Sequence, residues 1–187
     1  MWCLAVLLNY PDLQSVLYEE ISRETGQKLP SVDHKENLPK LQAFIQEIYR
    51  NLTLLPLGLQ HKTMADVELC GYHIPKNTVI FTNLHAVHSD SKTWEDPSKF
   101  DIYRHINKNG KFVPSKKVIP FGIGARSCIG EKLAQTEIYL FLANIIKRFE
   151  ILPDLGSKHP PPLNDGVTGF AFTPFSFKVV LKIRNSG

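Results

Sequence analysis

The chain has 187 residues, 43% of them apolar and 21% charged, with a formal charge of +4 and a pI near 8.9. That length suits one domain burying roughly 70% of its unfolded surface, the apolar share excludes a disordered chain, and so mild a charge lacks the dense basic stripe of a nucleic-acid binder. Three cysteines, at 3, 70 and 128, are odd in number and widely spaced, which argues against a disulfide framework or a structural zinc site and fits a reducing compartment.

In chain order, the apolar run at residues 1–8 is too short to span a bilayer and lacks the basic start and cleavage site of a signal peptide. It reads as the buried end of a helix, and a chain that begins inside an apolar run suggests a preceding segment. Pro11 opens a second helix, carried by Leu13, Val16, Leu17 and Ile21 and stopped by Gly26. Residues 26–40, with Gly26, Pro30 and Pro39, read as a loop. The next helix shows one narrow stripe of Leu41, Phe44, Ile45, Ile48 and Leu52. Glu47 and Arg50 fall on its other face, and periodicity alone makes them a solvated pair worth a few tenths of a kcal/mol.

Residues 54–83 change to strands, at 67–70, 72–74 and 78–82, with a turn at 75–77, and predict a small β-meander. His61, His73, His85 and His88 are scattered through or beside this stretch, a pattern that does not itself make a metal site. Residues 90–120 are irregular, with Trp94, Pro97, Phe100, Tyr103 and Phe112, and long irregular segments in compact proteins tend to be functional. Lys108, Lys111, Lys116 and Lys117 lie there without an acid between 106 and 120, as a solvated face or a docking surface for an acidic partner.

Residues 121–130, Phe-Gly-Ile-Gly-Ala-Arg-Ser-Cys-Ile-Gly, then present one cysteine on a glycine-loosened loop. Gly122, Gly124 and Gly130 allow positive φ and close approach to a flat partner. Ile129, Leu133, Leu140, Phe141 and Ile145 give the following stretch helical period, so Cys128 sits at a helix start, where the dipole and Arg126 favour a thiolate. Such a thiolate could bind a soft metal or act as a nucleophile; we read it as a metal ligand. That helix ends near Glu150, prolines break the chain at 153 and 160–162, and Phe175, Phe177, Val179, Leu181 and Ile183 alternate as a half-buried strand.

Four signals thus stand in one order: Glu47-x-x-Arg50, Trp94-x-Asp96-Pro97-x-x-Phe100, Arg104, and Phe121-x-x-Gly124-x-Arg126-x-Cys128-x-Gly130. Together they resemble the cytochrome P-450 family of haem-thiolate monooxygenases, in particular its animal microsomal branch acting on xenobiotics and steroids. The resemblance implies a mainly α fold with small β-sheets, and makes residues 1–187 the C-terminal portion of one domain whose N-terminal half and membrane anchor are absent. It implies Cys128 as proximal ligand of haem b (iron protoporphyrin IX), with Phe121, Gly122 and Gly130 around it and Arg126 and His61 on the propionates. Glu47, Arg50 and Arg104 become a buried structural network rather than a solvated pair. The family's Pro-Glu-Arg-Phe reads Ile102-Tyr103-Arg104-His105 here, a departure that keeps only the arginine.

By the same resemblance, Leu54, Leu55 and Leu59 with Phe170, Ala171 and Phe172 line a pocket for a lipophilic substrate. Expected partners are dioxygen, NADPH-cytochrome P-450 reductase and cytochrome b5, at the cytosolic face of the endoplasmic reticulum membrane, with no nucleic acid. The acid-threonine pair that the family uses to deliver protons to bound oxygen is expected in the absent half. Two alternatives stand beside the monooxygenase: a haem-thiolate isomerase that needs no reductase, and a catalytically inert truncated or splice form.

Overall fold

The computed structural model describes residues 1–154, 156 and 160–184. The first segment is a helix, α1 (Trp2–Asn9), with Ala5, Val6 and Leu7 fully enclosed, as a helix apolar on most sides requires. Pro11 starts α2 (Pro11–Thr25), and Gly26 ends it at φ 55°. Leu17 and Ile21 are buried, as the pattern predicts, but so are Gln14 and Glu20. Both polar side chains have backbone partners. Gln14 gives its amide N–H to Ile151 O (3.0 Å) and accepts Ile151 N–H (2.7 Å), while Glu20 accepts the N–H groups of Lys40 and Leu41 at 2.9 and 3.0 Å.

Those last two donors open α3 (Pro39–Asn51), whose own N-cap, Leu38, has no side chain that can accept them. The expected stripe of Leu41, Phe44, Ile45, Ile48 and Leu52 is buried in full. The preceding loop contains a short 3-10 turn at Val32–Asn37.

The expected meander is instead two separate pairs. Strand β1 is His61–Lys62, β2 Val67–Leu69, β3 Tyr72–Ile74 and β4 Val79–Ile80. The hairpin β2–β3 turns through Cys70 and Gly71, both at positive φ (51° and 82°), the conformation two-residue hairpins favour. β4 pairs with β1, not β3. The cause is local: Thr63 Oγ1 donates to Pro75 O and accepts Thr78 N–H, and the Asp66 carboxylate accepts Lys76 N–H, so the 75–77 turn folds back across Thr63. A short helix, α4 (Leu84–Ser89), follows with Asn83 as its side-chain cap. Six residues are too few to show a period.

After the irregular segment come α5 (Glu131–Arg148), β5 (Phe149–Pro153), β6 (Val167–Thr168), β7 (Phe172–Thr173) and β8 (Val179–Ile183). β5 and β8 pair antiparallel, as do β6 and β7. The strand read at 175–183 is therefore shorter, and Leu181 and Ile183 lie exposed, because β5 supplies that sheet's buried residue, Ile151. The stripe read on α5 is also corrected. Tyr139, Leu142, Ala143 and Ile146 face the core, Leu140 and Ile145 sit at its margin, and Ile129, Leu133 and Phe141 face outward. The architecture is mainly helical with four small sheets among the described residues, and one core joins α1, α2, α3, α5, β5 and the 100–102 segment.

Candidate functional site

The cysteine loop is built by its backbone. Gly122 and Gly124 hold φ at 74° and 77°, where a Cβ would meet nothing closer than 3.9 Å, so conformation rather than crowding requires glycine. Phe121 O accepts Cys128 N–H at 2.8 Å and closes the loop, and Gly130 caps α5, placing Cys128 two residues before the cap. A Cβ on Gly130 would lie 3.8 Å from Cys128 Sγ. The Cys128 side chain is exposed, with Ile123, Ile129 and Leu133 exposed nearby in the chain. Behind the loop, Phe121 packs edge-on against Tyr49 of α3, ring centroids 5.4 Å apart.

His61, Arg126 and Gly122 line one recess of about 330 Å³ with Ile80, Val87 and Ile119. The two candidate carboxylate-binding side chains, 65 positions apart by their numbers, thus converge beside the cysteine loop. Among the described residues no three His, Cys, Asp or Glu side chains converge to hold a bare metal ion. A lone thiolate can keep a metal only if the metal brings its other ligands. An exposed cysteine, apolar neighbours and a recess with His61 and Arg126 fit a flat, apolar, carboxylate-bearing metal macrocycle.

Glu47 and Arg50 are buried, with side chains 0% and 1% exposed. Arg50 donates from Nε and Nη2 to the two oxygens of Glu47 at 2.9 and 2.7 Å, a bidentate pair. Its remaining N–H groups reach the carbonyls of His88, Pro97 and Lys99, and its guanidinium lies 5.3 Å from the Trp94 ring centroid. The motif residues Trp94 and Pro97 are thus parts of the arginine's cage. Glu47 also accepts Asp101 N–H at 3.1 Å.

The third expected member is placed differently. Arg104 Nε stands 3.5 Å from Glu47 without a hydrogen bond, while its Nη atoms bind the carbonyls of Glu95, Asp96 and Lys99. The strong second contact to Glu47 comes from His105 Nε2 at 2.9 Å, with Gln46 at 2.8 Å on the other ring nitrogen. His105 stands where the family has phenylalanine; sequence reasoning marked the departure but could not see that imidazole would use it. Burial pushes the Glu47 carboxyl up, but hydrogen bonds from Arg50 and His105, the Arg50 charge and Asp101 N–H outweigh it and hold the group below the usual carboxylate range.

The two apolar stretches also meet. Phe172 N–H donates to Leu54 O at 2.8 Å, and a recess of about 550 Å³ is lined by Leu57, Leu59, Phe81, Gly169 and Phe170. Phe172 itself turns inward, onto Trp2 at 5.0 Å. Leu54, Leu55 and Ala171 do not line this recess. Lys108, Lys111, Lys116, Lys117 and Lys132 are all exposed. No helix among the described residues is long and apolar enough to cross a membrane.

Comparison with known proteins agrees with this geometry. The Cytochrome P-450 family model matches residues 1–181. The chain is 38% identical over 188 residues to steroid 17-alpha-hydroxylase/17,20 lyase of Squalus acanthias, covering 99% of this chain and 36% of that protein. It is 42% identical to cytochrome P-450 1A1 of Pleuronectes platessa over 161 residues, 84% of this chain and 31% of that one. To cytochrome P-450 2U1 of Bos taurus the identity is 35% over 185 residues, 98% and 34% of the respective chains. The chain thus spans about a third of the length of the curated relatives it matches. With a family match over residues 1–181, this chain belongs to the cytochrome P-450 family.

Proposed function

We propose that the chain is the C-terminal portion of a single-domain haem-thiolate monooxygenase that inserts one oxygen atom into a lipophilic substrate, with Cys128 as iron ligand. The observation that carries this is the exposed Cys128 on a glycine-held loop beside a recess lined by His61 and Arg126. When bound, haem supplies dioxygen activation, and thiolate ligation in this family favours O–O cleavage.

The chain's own residues would do the rest. Cys128 as thiolate binds the iron, and Arg126 and His61 orient the propionates. Phe121, with Gly122 and Gly130, shapes the loop around the sulfur and limits water there. Glu47, Arg50 and Arg104 fasten the helix under this loop to the irregular segment. Leu59 and Phe170 offer apolar wall to substrate, joined by Leu57 and Phe81. The exposed lysines at 108, 111, 116, 117 and 132 would steer an acidic reductase, with NADPH as electron source and cytochrome b5 as a second donor at the endoplasmic reticulum surface.

The test is the carbon monoxide difference spectrum of the chain, reduced and supplied with haem. A red-shifted thiolate Soret band that vanishes in Cys128→Ala supports the reading. Its absence, or its survival in Cys128→Ala, overturns the ligand assignment. For the parent protein, turnover with no reductase or NADPH would favour the isomerase instead.

A further inference from the structure

We propose that His88, to which neither the motifs nor the family match assigns a role, is a positioning residue: a neutral imidazole latch tying the root of the cysteine loop to the helix that carries Glu47 and Arg50. The geometry allows one tautomer. Thr53 Oγ1 donates its single proton to Arg50 O at 3.0 Å, so toward His88 Nδ1, 2.8 Å away, it can only accept. Nδ1 therefore carries the hydrogen. On the other side of the ring, Ile119 N–H donates to Nε2 at 2.9 Å, so Nε2 is bare.

The ring is 1% exposed, and its own main-chain carbonyl accepts Arg50 Nη1 at 2.9 Å. His88 thus grips the C-terminal end of α3 twice, directly through Arg50 and indirectly through Thr53, which lies just past the helix and is bonded to Arg50 O, and holds the 115–120 segment once. From Ile119 the connection runs on: Ile119 O accepts Gly122 N–H at 3.1 Å, and Phe121 O accepts Cys128 N–H at 2.8 Å. A proton on Nε2 would set two donors against each other and release Ile119. Charges facing the ring are Arg50 from α3 and His85 from α4 itself; on the far side Lys117 reaches instead toward Thr93. Burial first, then Arg50 and His85, bring the imidazole down to about 4, so the latch is closed at neutral pH.

The latch is a property of the chain's own hydrogen bonds; only its use in presenting Cys128 to iron rests on the haem-thiolate reading. The test therefore needs no haem. Nitrogen-15 NMR of the imidazole should show protonated Nδ1 and bare Nε2 at pH 7; the opposite tautomer or a doubly protonated ring overturns the latch. Amide hydrogen exchange gives the second readout. His88→Asn keeps a donor near Thr53 but nothing that reaches Ile119, and should speed exchange at Ile119 and Cys128 at least tenfold while Leu142 and Ile146 stay protected. His88→Gln restores an acceptor for Ile119 and should recover most of that protection.

Unchanged exchange at Ile119 in His88→Asn, or equal loss in both variants, refutes the proposal. Should the asparagine variant unfold, the wild-type tautomer and the glutamine variant still decide it. A correct tautomer in a chain that gives no thiolate band would overturn the haem reading and leave the latch standing.

Discussion

Replacing Glu47 by glutamine removes one negative charge from a site where the Arg50 side chain has 1% of its surface in water. The cation would keep its bonds to the carbonyls of His88, Pro97 and Lys99 but lose its counter-charge. Breaking a buried pair on one side costs about 3 to 5 kcal/mol. The hydrogen bonds give a similar figure: two from Arg50 and one from His105 involve a charged acceptor, each worth roughly 1.5 to 3 kcal/mol, and the amide recovers part of them. With a urea slope of about 2 kcal/mol/M, the unfolding midpoint of the chain should fall by about 2 M. The double variant Glu47→Leu with Arg50→Met should recover much of that loss, since it leaves no stranded charge. A midpoint shift in Glu47→Gln below about 0.5 M, or a double variant worse than the single, would show that the pair is not the buried unit described.

Acid should weaken the fold in a defined order. His88, held down to about 4, is fully stabilising above its ordinary value of 6.5 and loses at most about 3 kcal/mol as pH falls from there to about 4. Glu47, held below its ordinary value of 4.5, adds a loss only under that pH, while Glu20, raised above 4.5 by burial, offsets part of the His88 loss above that pH and none of the Glu47 loss below it. Urea midpoints measured from pH 7 to 4 should therefore decline, and a flat profile contradicts the His88 geometry. Gly58→Ala should cost about 1 to 2 kcal/mol by thermal unfolding, since φ is +59° and a Cβ would lie 2.9 Å from Thr82 Oγ1; no loss would mean that the loop relaxes freely. Phe170→Ala, at a side chain 75% exposed, should leave the urea midpoint unchanged and weaken binding of an apolar fluorescent probe several-fold, and the reverse would make Phe170 a core residue.

How far the sequence reaches varies by element. α2 was legible because Pro11 starts it and an apolar stripe runs along it, α3 from its stripe alone, since Pro39, read as loop, is its first residue, and the 67–74 hairpin as two strand runs broken at residue 71. The pairing of β4 with β1 was not, because strands of two residues carry no register signal and Thr63 and Asp66 decide it through side-chain bonds. On α5 apolar residues occur on nearly every side, so period alone could not separate Tyr139 and Ile146 from Leu133 and Phe141. At the site, Cys128, Arg126, Glu47 and Arg50 stood out through motif spacing. His105 and His88 did not, since a histidine's role is set by which groups its two nitrogens meet, and those lie 31 to 59 positions away.

The carboxylate of Glu20 has a consequence for how this site comes into being. It caps α3 from a different helix, through Lys40 and Leu41. A 13-residue helix is marginal by itself, and this one lacks a cap of its own. Its first turn can become firm only when α2 has docked. Glu47 and Arg50 are therefore assembled in the same cooperative step as tertiary packing, and the site has no partly built stage in which α3 stands ready alone. Substitutions on α2, which touches none of the motif residues through these bonds, would then reach the cysteine loop as a change in folding order, by delaying the helix on which that loop rests.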